Sequence, residues 1–372
     1  MHSQIHPISL PGSSAHYQLT SFHFGQAGRG KKVYIQAGLH ADEVPGMLVA
    51  QFLRAKLTVL EQRGALLGEV ILVPAANPIG RSQAIHGAPF GRFDLATGVN
   101  FNRAYRHLAD ALKLALAGRL GQDASDNVAL IRRLASSTLG QWQPCDDAEA
   151  MKKALLALAI DADIVLDLHC DNEAVLHLYA GTPLAEMVAP LAAMMQAHAV
   201  LLADAAGGEP FDEACSRLWW DLSTHFGAAT PIPPACMALT LELRGERDVG
   251  DALAEQDARQ ILAFLALNGV IDAPVPAAPA ARCMPTPLDG VEPLVAPHAG
   301  ILVFHRALGE RLAVGEVVAE VIDPVGGERT PVVAGVAGVF FARSAFRHIL
   351  RGMQIGKIAG AQSFRSGKLL SQ

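Results

Sequence analysis

At 372 residues, about half of them apolar, the chain is long enough for two domains and a large core, which excludes a disordered or fibrous protein. A formal charge of -6 without any Lys/Arg run excludes nucleic acid as the default partner and favours a small-molecule ligand. No uncharged apolar stretch reaches membrane-spanning length, and the opening MHSQIHPISLPGSS lacks the basic and apolar segments of an export signal, so the expectation is a cytoplasmic protein with no membrane partner.

Residues 1–30 are polar and punctuated by Gly and Ser, with one strand predicted over 17–24. The run VYIQA (33–37) reads as a strand buried in a sheet. GLHADEVPG (38–46) then turns into a helix over about 43–62, with Pro45 in its first turn and Gly64 as its stop. In that turn His40 and Glu43 stand three apart, which aims an imidazole and a carboxylate at one point. These are donors of the kind zinc accepts, although His-x-x-Glu alone also marks an ordinary solvated helix start. GEVILVPAANP supplies a second buried strand ending at Asn77-Pro78. Strand, helix, strand in this order predicts a mostly parallel sheet whose ligands gather beyond the carboxyl ends of its strands.

From 79 to 105 the chain is irregular and Gly-rich, with Arg81, Arg92 and Arg103. So long a stretch inside a compact domain points to function. Asn102 and Arg103 lie side by side; a guanidinium can grip a carboxylate with two hydrogen bonds and the amide can add a third, the alternative being a surface arginine at a helix cap. Residues 106–160 are helical in pattern, broken around 121–127 and 140–147, and form a layer without chemistry of its own. They lead into a strand over 164–168, interrupted by Asp167, that ends at His169, Cys170 and Asp171. His169 alone would read as a core histidine; at a strand's carboxyl end it joins the edge where the first pair sits. Cys170 reads as a small side chain in a tight turn, and Asp171 as a turn cap or a group tuning a ligand.

A strand over 174–179 and a helix over 183–198 precede a long run read as irregular, with Gly207, Gly208, Trp219, Trp220 and His225. Its tryptophans are assigned to core or lid packing. The strand predicted over 237–243 carries Glu242 among apolar neighbours, where a carboxylate is costly unless paired or working, and a general base is the reading that follows. A helix over 253–268 closes a domain spanning 1–274, and 275–290 is a Pro/Ala-rich linker. In 291–372, AGILVF (299–304) recurs as AGVFFA (337–342) and VGEVVAEVI (314–322) as RGMQIGKIA (351–359), which indicates a small pseudo-symmetric all-β domain. The five cysteines are scattered and form no C-x-x-C pair, so they read as reduced thiols.

Taken together, His40-x-x-Glu43, Asn77-Pro78, Asn102-Arg103, His169 at a strand end and Glu242 in TLELRG resemble the succinylglutamate desuccinylase/aspartoacylase family, related to zinc carboxypeptidases. The resemblance implies an α/β fold, a three-layer α/β/α zinc-carboxypeptidase-like domain with a mixed, mostly parallel sheet, plus a small C-terminal β domain resembling a biotinyl/lipoyl barrel. It implies one Zn2+ per chain held by His40, Glu43 and His169, with Glu242 as general base. Asn102 and Arg103 match the family's substrate-binding pair, and Arg92 matches its carbonyl-polarising arginine better than Arg81 does. Asn100 departs from the family's frequent Asp at that position. The implied activity is hydrolysis of a linear amide, that of an N-acyl amino acid. The rivals are a metallocarboxypeptidase acting on short peptides, a non-catalytic metal- or metabolite-binding homologue, and a biotin- or lipoate-type carrier. The last is discounted because the hairpin DPVGGERTPV carries Arg329 and no lysine. A homo-oligomer is compatible with all of these readings.

Overall fold

In the computed structural model, which describes residues 1–370, a nine-stranded sheet runs through the first three quarters of the chain. Its strands are β1 (His2–Pro7), β2 (Gln18–Gly25), β3 (Lys32–Ala37), β4 (Glu69–Val73) and β5 (Ile164–Asp171), and, after the two-residue β6 (Glu173–Ala174) that lies outside this sheet, β7 (His177–Gly181), β8 (Ala199–Ala203), β9 (Met237–Gly245) and β10 (Thr286–Pro287). Their spatial order is β1-β2-β4-β3-β5-β9-β7-β8-β10. Five neighbouring pairs are parallel (β4/β3, β3/β5, β5/β9, β7/β8, β8/β10) and the other three antiparallel, so the sheet is mixed and mostly parallel.

The alternation of side chains along β3 explains the layers. Val33, Ile35 and Ala37 face one helical layer and Tyr34 the other. The first layer is α1 (Pro45–Gln62) together with the helices Ala185–Met194 and Asp251–Leu267; α1 buries Val49, Leu53 and Leu57, each contributing about 2 kcal/mol by removal from water. The second layer is built from helices Ala109–Leu116, Ala124–Gly140, Asp147–Ala159 and Phe211–Phe226. The last of these corrects the sequence reading, in which the run containing Gly207, Gly208, Trp219, Trp220 and His225 is irregular. Trp219 is buried in the core and Trp220 donates from Nε1 to the Asp204 carbonyl, so both act in packing along this helix. The predicted strand over 174–179 is two pieces, β6 and β7, and they join different sheets.

The chain leaves β3 toward β4 on one side and returns at β5, adjacent to β3, before building outward on the other side. That divergence makes a crevice at the carboxyl ends of β3 and β5.

After β10 the chain forms β11 (Val291–Val295), β12 (Gly300–Phe304), β13 (Arg311–Leu312), β14 (Val317–Ile322), β15 (Arg329–Val333), β16 (Gly338–Arg343), β17 (His348–Ile349) and β18 (Gln354–Gly360). They make two antiparallel sheets, β11-β18-β16-β13 and β15-β14-β12-β17. Shifting β11–β14 by 37 or 38 residues onto β15–β18 exchanges the two sheets, which is the internal repeat expressed as a pseudo-twofold. The module is tied to the main sheet: β6 pairs with β16, Arg343 and Arg347 bond Glu173, and Lys357 on β18 pairs with Asp171 at the end of β5. No helix among the described residues is long and apolar enough to cross a membrane.

Candidate functional site

Three potential ligands meet in the crevice. His40 and Glu43 lie in the turn between β3 and α1, and His169 near the end of β5; Gly46, in the first turn of α1, packs so closely that a Cβ there would stand 2.9 Å from the Leu168 carbonyl. Glu43 bridges both rings. His40 Nδ1 lies 2.7 Å from Oε1, and His169 Nδ1 lies 2.7 Å from Oε2, to which the Cys170 backbone N–H also donates. The two rings are nearly perpendicular, centroids 4.9 Å apart, and all three side chains are buried.

The far side of each ring fixes its tautomer. His40 Nε2 is 2.8 Å from the Asn100 carboxamide oxygen, and His169 Nε2 is 3.0 Å from Asp167 Oδ2, although that contact is too far off line to count as an aligned hydrogen bond. The Asn100 acceptor assigns the His40 ring proton to Nε2 and leaves its Nδ1 lone pair aimed at Glu43, and the Asp167 carboxylate beside His169 Nε2 favours the same tautomer in that ring. Two lone pairs and a carboxylate within 4.8 Å of one another repel unless a proton or a cation lies among them. The donor set therefore fits a divalent metal. Arg92 answers the same demand, its Nη1 standing 3.2 Å from Glu43 Oε1 and 3.3 Å from His40 Nδ1.

The charges respond in kind. Burial opposes the Glu43 carboxylate, but the two imidazoles outweigh it and hold Glu43 well below the usual range. Burial likewise opposes charge on His169, yet Asp167 and Glu43 raise it well above its ordinary value. His40 goes the other way, lowered by burial and then by the Arg92 cation, because its far partner is a neutral amide where His169 has a carboxylate.

Gln36 Nε2 donates to Asp167 Oδ1 at 3.0 Å and Tyr34 OH to Gln36 Oε1 at 2.8 Å, so polar contacts run from the core through Asp167 to His169, and from there through Glu43 to His40 and Asn100. Asp167 and Asn100 thus hold parts that residue typing had not given them. For Asp167 the signal was available: two residues before His169, it shares that histidine's face of the strand. For Asn100 it was not, since only the fold brings it beneath His40. Its Oδ1 also accepts from the Asn102 N–H at 2.8 Å, while its buried Nδ2 has no partner among the described residues.

Glu242, on β9, is in register with His169 on β5 and His177 on β7 and lines the same cavity. Its Oε2 is buried without a hydrogen-bond partner among the described residues; burial and then the Glu43 carboxylate push its pKa up to about 8. Asn102 is buried, its Oδ1 accepting from the Phe211 N–H at 2.9 Å and its Nδ2 packed 3.4 Å from His169 Nε2. Arg103 also lines the cavity, its Nη1 donating to the Asn102 carbonyl at 2.6 Å. Of the other two arginines, Arg92 reaches Glu43 and His40, and Arg81 is exposed at the end of the one-turn helix Pro78–Arg81. Gly91 makes the approach of Arg92 possible: a Cβ on it would lie 2.4 Å from the Asp42 nitrogen. Asn77 caps the one-turn helix by accepting from the Gly80 N–H and donates to the Leu39 carbonyl, which anchors the turn before His40. The Cys170 thiol is pushed far up by burial and then by Glu43, so it offers no thiolate. The cavity holding these groups measures about 900 Å³ and is completed by residues of the C-terminal sheets.

Residues 29–268 match the succinylglutamate desuccinylase/aspartoacylase catalytic domain. Among solved structures the whole chain is similar to a succinylglutamate desuccinylase/aspartoacylase family protein of Shewanella amazonensis SB2B, at 27% identity and a TM-score of 0.84, covering 96% of this chain and 98% of that one. It is similar to a counterpart from Shewanella frigidimarina NCIMB 400 at 27% identity and TM-score 0.84, covering 96% and 97%. The ectoine utilization protein EutE (DoeB) of Ruegeria pomeroyi shares the fold, at 15% identity and TM-score 0.65, covering 96% and 95%. No curated protein sequence matches the chain.

Proposed function

Because the chain belongs to the succinylglutamate desuccinylase/aspartoacylase family, we propose that it is a zinc-dependent hydrolase cleaving the amide of an N-acyl amino acid to a carboxylic acid and a free amino acid. The observation that carries this reading is the convergence of His40 Nδ1, His169 Nδ1 and the Glu43 carboxylate at one point of a cavity that Glu242, Arg92 and Arg103 also line. Two imidazoles and a carboxylate suit zinc better than harder cations, and zinc bound there supplies Lewis acidity and a water activated near neutral pH.

The chain's own groups do the rest. Glu242, which lines the cavity in register with His169, takes the proton of the attacking water as a carboxylate and passes it to the leaving amine. Arg92 stabilises charge developing on the scissile carbonyl oxygen, a type of contact worth about 3 to 4 kcal/mol. Arg103, framed by Asn102, holds the substrate's carboxylate and turns a collision into a positioned encounter. Residues 1–274 carry all of these groups, and we take them as the catalytic unit.

The cavity volume also favours a second reading, a carboxypeptidase accepting short peptides whose terminal carboxylate Arg103 would hold. A panel of N-acetyl and N-succinyl amino acids set against dipeptides and tripeptides separates the two. Glu242→Gln should keep the metal and lose about a hundredfold or more in turnover on the preferred substrate. Near-normal rates in that variant would remove the general-base assignment.

A further inference from the structure

Beyond β18 the chain does not leave the molecule but runs back across the edge of the catalytic cavity. Residues 364–370 are held by several bonds. The Phe364 and Arg365 N–H groups donate to the Asp289 carbonyl at 3.2 and 3.1 Å, Arg365 reaches the Val291 carbonyl at 2.9 Å and the Leu369 carbonyl at 3.2 Å, and the Leu369 N–H donates to the Ala206 carbonyl at 2.9 Å. Leu369 and Leu370 pack with Leu201, Leu288 and Phe341, and both line the cavity.

The loop they touch is the one that frames Arg103. Gly207 and Gly208 both adopt left-handed backbone conformations, with φ of +85° and +86°. On one side a Cβ at Gly207 would stand 3.4 Å from the Lys368 Cα; on the other a Cβ at Gly208 would stand 2.9 Å from the Arg103 Cδ. The same loop accepts the Ala104 and Tyr105 N–H groups through the Gly208 and Glu209 carbonyls, and Phe211, two residues further on, donates its N–H to the Asn102 side chain. Thus a two-glycine turn lies between the returning segment and the arginine, in contact with both.

From this juxtaposition we propose that residues 364–370 form a strap that positions the Asn102–Arg103 carboxylate clamp. Arg365 and Leu369 are its positioning residues, and Leu369 and Leu370 wall that end of the cavity. The proposal rests on the reading of Arg103 as the group that holds the substrate's carboxylate. The 900 Å³ that remain beside the strap leave room for substrate, so the segment acts as a wall and not as a plug.

The test compares Arg365→Ala, Leu369→Asp and Arg103→Ala with the wild type in the full chain. Two probes are used: the N-acyl amino acid turned over fastest in the panel above, and the matching N-acyl amine lacking the carboxylate. Arg365→Ala and Leu369→Asp should raise KM for the first probe about tenfold while kcat stays within about twofold, with metal content unchanged and kcat/KM for the second probe unaltered. Leu369→Met should behave as wild type. If Leu369→Asp fails to fold, Arg365→Ala, which removes only side-chain bonds to two carbonyls, still decides the question. An unchanged KM, or an equal loss on both probes, overturns the strap. If Arg103→Ala leaves the preference for the carboxylate intact, the clamp itself is wrong and the strap falls with it. If Arg103→Ala abolishes that preference while the strap variants keep it, the strap alone is wrong.

Discussion

Asp167→Asn removes one charge, and little shape, from a position with no solvent access. The new side chain can still accept from Gln36 Nε2, now 3.0 Å from Oδ1, and it then turns its NH2 toward His169 Nε2, which stands 3.0 Å from Oδ2. Two N–H groups cannot share that line, so the ring is driven to the tautomer with its proton on Nδ1, the nitrogen that faces Glu43 at 2.7 Å. A protonated Nδ1 has no lone pair for a cation. Loss of a partner behind a metal-ligating histidine costs 10- to 100-fold in affinity, about 1.4 to 2.8 kcal/mol, and the forced tautomer places this variant near the upper figure. Asn100→Asp is the opposite substitution behind the other ring, where His40 now bonds a neutral amide, and it should tighten the metal by about tenfold. Competition for zinc between each variant and a chelator of known affinity, followed by the chelator's absorbance, measures both. An Asp167→Asn protein that holds zinc as tightly as the wild type, or an Asn100→Asp protein that holds it more weakly, would refute the reasoning.

Two further outcomes follow from the charged groups around the cavity. Burial and then Glu43 raise Glu242 to about 8, above its ordinary 4.5, so in the metal-free protein its contribution to stability is full below about 4.5 and is lost as pH rises through about 8. Metal-free Glu242→Gln should therefore gain melting temperature relative to wild type between about pH 5 and pH 9, and a difference that does not change with pH would contradict the burial argument. Lys357→Met leaves the Asp171 carboxylate without its cation at the junction of β5 and the C-terminal sheets, at a cost of about 2 to 3 kcal/mol in urea unfolding. Adding Asp171→Asn should recover more than half of that loss; strict additivity of the two losses would show that the pair is not coupled.

The parts of the fold legible in the sequence were those where one face of an element is apolar and its end is marked. VYIQA, GEVILV and the strand before His169 alternate into two buried layers, and Pro45 and Gly64 bracket α1, so β3, α1, β4 and β5 could be read in order. The helix Phe211–Phe226 was missed because acidic and aromatic residues share its buried face, Asp212 and Glu213 beside Phe211, which blurs the 3.6 period. Around the site, His40 and Glu43 are neighbours in the chain and His169 ends a strand, so residue type and position pointed to them. Asn100, Lys357 and Leu369 could not be found that way. Each takes its place only because distant segments fold together: Asn100 behind His40 from an irregular loop, Lys357 at the cavity across the junction with the C-terminal sheets, and Leu369 by the return of the chain over the edge.

One atom from each of three side chains would hold the proposed zinc ion. A crystal of the zinc-loaded protein, with anomalous scattering recorded on either side of the zinc edge, tests it most directly. The account predicts one peak per chain, bonded to His40 Nδ1, His169 Nδ1 and a Glu43 carboxylate oxygen, at about 2.0 to 2.2 Å. A peak elsewhere, or coordination through either Nε2, would contradict it.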